Sequence, residues 1–130
     1  MEDIKNAVVT EETKETVAKT ETAKANVTES DTPEGAYVHT FTKPFVYEDK
    51  TYTKMVFDFE KLLGRDFIAV ENEMAAIGEY ALSPEISTSF LSKLAARAAG
   101  VASDVIEHLP AREFGKVKNK SRDFLISTGF

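Results

Sequence analysis

All thirteen aromatic residues of this 130-residue chain lie beyond residue 36, and so does every leucine. No other feature constrains the fold as strongly. Residues 1–36 carry nine acids and four bases, a net charge of −5, while 37–130 carry thirteen acids and twelve bases, a net −1. The larger apolar side chains of the first segment are only Met1, Ile4, Val8, Val9, Val17 and Val27. Six such groups cannot offset the entropy of ordering thirty-six residues, at about 1–2 kcal/mol per backbone. We therefore expect 1–36 to be a disordered acidic tail and 37–130 to be the folded domain. Glu and Ala around Glu11–Ala25 favour transient helix, which the interspersed Thr and Val weaken. Such a tail solubilises; a segment that folds on a partner is the alternative.

The folded part reads as a hairpin followed by helices. Tyr37–Thr42, Phe45–Tyr47 and Thr51–Phe57 are rich in β-branched and aromatic residues, which suit a pleated, half-buried surface. Glu48-Asp49-Lys50 marks the turn between two antiparallel strands. Pro44 has no amide hydrogen to donate and belongs at an edge or bulge. Phe67, Val70, Met74 and Ile77 recur at spacings of three and four, one apolar stripe of a helix that Gly78 stops. Ser83-Pro84 is a start signal for a second helix, with Ile86, Phe90, Leu91, Leu94, Ala95 and Ala98 on its inner face and Gly100 at its end. Ser103-Asp104 opens a short third helix bearing Val105, Ile106 and Leu109. Pro110 opens the last, with Phe114, Val117, Phe124 and Leu125 on one side. The expected class is α+β: an antiparallel hairpin packed on three or four helices, preceded by the acidic tail.

Chemistry is sparse. Cysteine is absent, so disulfides, thiolate metal sites and cysteine nucleophiles are excluded. His39 and His108 are the only histidines, and neither has the neighbours that a metal site or a catalytic triad needs. The six glycines are scattered and form no phosphate loop. A net charge of −6 disfavours nucleic-acid backbones. No apolar run approaches the roughly 18 residues that span a bilayer, and the acidic start Met1-Glu2-Asp3 argues against a secretory signal. We expect no catalytic centre, cofactor, metal, nucleic acid or membrane, and a soluble intracellular location. Two features stand out. The last helix is basic through Arg112, Lys116, Lys118, Lys120 and Arg122, either a solvated face or a site for an acidic partner, the tail included. The hairpin holds Tyr37, Phe41, Phe45, Tyr47, Tyr52 and Phe57, with Phe59 close behind. That is more ring surface than a two-stranded sheet over small helices can hide, so some rings should be exposed or covered by another chain.

The order of five short pieces adds to this. They are Phe41-Thr42-Lys43-Pro44-Phe45, then Asp49–Thr53, then Leu62-Leu63-Gly64-Arg65-Asp66-Phe67-Ile68 with Glu71, then Leu94–Val101, and finally Leu109–Phe114 with Val117-Lys118-Asn119. Over about residues 37–126 this resembles the tail assembly chaperone family of long-tailed bacteriophages and related defective prophages. The leader matches no part of that pattern. The resemblance implies a non-enzymatic protein of the infected host cytoplasm, absent from the finished virion. Such a protein would hold the helical tape measure protein soluble and bring tail tube protein to it. A structural tail component or adaptor retained in the virion is the alternative. The family supplies no binding residues position by position, so the candidate partner contacts come from chemistry: Phe41, Phe45, Tyr47 and Tyr52 on the hairpin, and Lys116, Lys118, Lys120 and Arg122 on the last helix. Self-association through the hairpin edge or the rings is also expected.

Overall fold

The computed structural model describes residues 32–130. The expected acidic tail therefore lies outside the described residues, except for its last five. The described chain is α+β: a two-stranded antiparallel sheet and four helices, with two single 3-10 turns. It divides into two compact units, the strand pair over 38–56 and a helical unit formed by 33–37 and 57–130.

In the first unit, β1 (Tyr37–Tyr47) and β2 (Lys50–Phe57) are joined by the two residues Glu48 and Asp49. So short a connection enforces antiparallel pairing. Glu48 sits at φ 55, the left-handed region that this turn demands and that glycine or asparagine would occupy at less cost. Along β1 the buried residues His39, Phe41 and Phe45 share one face, and Pro44 points from the exposed one. Along β2 the buried positions change parity between Tyr52 and Met55.

In the helical unit, α1 (Gly64–Ala76), α2 (Thr88–Ala99), α3 (Ser103–Glu107) and α4 (Ala111–Ser127) follow one another. The unit is built around α2, which packs on α1, α3 and α4. Eight of its twelve residues are buried, including Phe90, Leu91 and Leu94. With Val70 and Met74 of α1 and Leu125 of α4 these form the core, and Phe67 and Phe124 pack against it. The backbone amide of Asp58 donates to the Ala98 carbonyl at 3.0 Å, tying the segment after β2 to the end of α2.

Caps explain most of the boundaries. At the start of α1, Asp66 Oδ2 accepts from the Leu63 amide at 2.7 Å, covering a donor that the helix cannot satisfy itself. Both α1 and α2 end in the paired hydrogen bonds of a Schellman motif, Glu79 to Met74 with Gly78 to Ala75, and Val101 to Ala96 with Gly100 to Arg97. Gly78 and Gly100 sit at φ 79 and φ 73, as those motifs require. The start of α2 departs from expectation. Pro84–Ile86 makes only one 3-10 turn, and Ser87, not Ser83, accepts the hydrogen bond from the Phe90 amide. The chain is extended at Ser87, so Ile86 falls outside the α2 stripe and is exposed. Ile77 leaves its expected stripe for a related reason: the helix turns off at Gly78 before Ile77 completes the inner face.

Candidate interaction surface

The hairpin rings come together, and most of them are buried. Phe41 and Phe45 stack with centroids 5.6 Å apart, Phe45 and Tyr52 at 5.8 Å, and Phe45 and Tyr47 at 6.4 Å. His39 meets the edge of Phe41 at 4.9 Å. One ring ladder thus runs along a single face of the strand pair, in the cross-strand contact that aromatic side chains favour. Phe41, Phe45 and Tyr52 are only 7%, 8% and 7% exposed, and Tyr47 is half-buried. Some of the seven rings were expected to be exposed or covered by another chain; none is exposed, with five buried and Tyr37 and Tyr47 half-buried. Alternation along a strand tells which rings share a face, and it is silent on whether that face is covered. Burial of Tyr52, and then the charge of Glu48, push its phenol pKa up.

The four basic candidates are all on α4. Lys116, Lys120 and Arg122 are exposed and Lys118 is half-buried. Arg112, Lys116 and Lys120 follow one another at spacings of four and share a stripe that flanks the buried Glu113, Val117, Ser121 and Leu125. Lys120 Nζ stands 5.2 Å above the ring of Tyr37, a cation–π contact that fixes one end of this side chain. The Ser121 hydroxyl donates to the Leu91 carbonyl at 2.8 Å and holds α4 to α2.

The density of rings pointed to the hairpin for open apolar surface, but a larger group of exposed apolar side chains stands elsewhere. It lies on the segment between α1 and α2, where Ile77, Tyr80, Leu82 and Ile86 are 61%, 82%, 84% and 69% exposed. These side chains are carried on a segment that is itself tied down. Ala81 packs against the core, the Ser89 hydroxyl donates to Glu79 at 2.5 Å, and the Pro84–Ile86 turn packs on α2 and α4. The segment is thus packed in place while turning four large apolar groups outward, and clustered exposed groups of this kind are characteristic of interaction sites. The one sequence signal for it was the mixture of Ile, Tyr and Leu with Gly, Ser and Pro between two helices, where loops are ordinarily polar.

The surface is also acidic at its margins. From Asp66 to Ser92 the chain has five acids and no base. Besides Glu79, bonded by Ser89, two of these acids meet bases: Asp66 Oδ1 accepts from Arg97 at 2.7 Å, and Glu73 lies 3.7 Å from Lys93. Lys93 is only 3% exposed and bonds to Glu107 at 3.1 Å. Burial alone would lower its pKa; the hydrogen bond and charge of Glu107, with the charges of Glu73 and Glu79, outweigh that and hold it above the ordinary lysine value. Asp66 moves the other way. The Leu63 amide and then Arg97 pull its carboxyl below the usual range.

No family model, curated protein or solved structure matches the chain. Among the described residues no three His, Asp or Glu side chains stand together as metal ligands would, and no helix is long and apolar enough to cross a membrane. Functional inference therefore rests on surface chemistry.

Proposed function

We propose that this protein is a non-enzymatic assembly chaperone of a long-tailed phage or defective prophage. Its task is to keep the tape measure protein soluble in the host cytoplasm and to help recruit tail tube protein, and it leaves before the virion is complete. The order of sequence pieces over 37–126 supports this reading, and one structural observation carries it: four large apolar side chains stand open on the packed segment 77–86. A holding protein needs such a surface to meet the apolar stripe of an amphipathic helix, and enough charge around it to stay in solution. Each Ile, Leu or Tyr buried in that contact contributes about 1.5–3 kcal/mol before the costs of association, so a few anchors give reversible binding. The buried hairpin rings move the proposed contact from the strands to this segment.

Co-expression with the tape measure protein encoded beside it is the direct test. A soluble complex of the two is expected, weakened by Leu82→Asp. A tape measure that stays insoluble, with nothing co-purifying, overturns the proposal. Stoichiometric recovery of the chain from purified virions overturns it in favour of a structural tail component.

A further inference from the structure

We propose that the 77–86 surface and the basic face of α4 form a reciprocal interface between two copies of this chain. The apolar part supplies the contact and the charges supply the register. Glu79 and Glu85 flank Tyr80 and Leu82, with Ile86 next in sequence, on a stretch that holds no base from Asp66 to Ser92. On α4, Arg112 and Lys116 lie exposed on one stripe, and Ile126 near its end is 43% exposed. Each copy therefore presents an acidic apolar segment and a basic helix whose outer face includes an apolar group.

Within one molecule the Pro84–Ile86 turn packs on α4, the helix that carries the basic stripe. A two-fold axis beside that turn lays the acidic segment of each copy along α4 of the other and merges both contacts into one patch, the closed arrangement that a self-complementary surface allows. Net charge points the same way. Residues 37–130 carry thirteen acids and twelve bases, so this part has almost no net repulsion to keep copies apart, and its opposite charges are segregated rather than interspersed. This interface stands apart from the chaperone proposal. If both hold, a client helix and a second copy compete for Tyr80 and Leu82.

Sedimentation velocity of the full chain over a range of concentrations tests the interface. A monomer–dimer equilibrium is expected, weakening as salt screens the charges. Tyr80→Ser with Leu82→Ser should raise the dissociation constant by at least about 100-fold, since truncating buried anchors removes most interface energy. Both side chains are exposed in the monomer, so circular dichroism should be unchanged. Arg112→Glu with Lys116→Glu should also abolish the dimer. Adding Glu79→Lys and Glu85→Lys to that variant should restore association to within a few-fold of the original. A monomer at every concentration overturns the interface and leaves the segment to a foreign helix or to residues 1–31. A dimer indifferent to the Tyr80 and Leu82 changes also overturns it, and so does a charge reversal that the swap fails to rescue.

Discussion

Lys93 shows most directly how single side chains carry the helical unit. An ammonium that is almost fully buried persists because Glu107 and Glu73 neutralise it from partly exposed positions. Lys93→Met keeps most of the stem volume and leaves two carboxylates that water can still reach, so it should cost only about 1 kcal/mol by urea unfolding. Lys93→Ala also loses the packed stem and should cost roughly 2–3 kcal/mol. Because the folded pKa is raised, the ion-pair contribution is complete below the ordinary lysine value and lost as pH rises through the folded one. The wild-type advantage over Lys93→Met should therefore hold at neutral pH and shrink as strong alkali removes the lysine's proton. Asp66 has the opposite sign. Its lowered pKa makes its contribution complete above the usual carboxylate range and lost as pH falls through the folded value. Asp66→Ala should cost about 1–2 kcal/mol at pH 7, through the lost cap and the Arg97 pair. The difference from wild type should fade on acidification below about pH 4, which unfolding curves along an acid series would reveal.

At the scale of elements, backbone conformation separates substitutions that look alike on paper. Gly100 closes α2 at φ 73, whereas Gly115 lies inside α4 with open space where a Cβ would go. Gly100→Ala should lower stability by about 1 kcal/mol and Gly115→Ala should raise it by about as much, readable as opposite shifts in melting temperature. In the hairpin, Glu48→Gly should relieve the left-handed strain at φ 55 and stabilise the turn by roughly 0.5–1 kcal/mol. Protection of strand amides from hydrogen exchange would register that gain. The glycine caps were legible from residue type, because their effect is confined to a few neighbouring dihedrals. Choosing Ser87 over Ser83 was not. Both precede helix-compatible stretches, and the choice depends on Pro84–Ile86 packing as a separate turn on α2 and α4.

For the molecule as a whole, the decisive core residue is Phe90. It is almost fully buried, meets the edge of Phe67 at 6.3 Å and belongs to the cluster that joins α1, α2 and α4. Phe90→Ala should cost roughly 3–5 kcal/mol, a large share of a small domain's stability, with a matching fall in urea midpoint. The sequence alone was enough for the α+β class, the hairpin with its turn, the succession of helices behind it and most of the inward residues of α2 and α4. These follow from composition, from periods of two and 3.6, and from glycines that take φ values other residues avoid, all properties of a residue and its near neighbours. Only the tertiary structure decided which apolar groups stay in water. It sealed Phe41, Phe45 and Tyr52, opened Ile77 and Ile86, and buried Lys93 between two carboxylates. Burial is set by what packs over a side chain from distant parts of the chain, and local pattern carries no record of that.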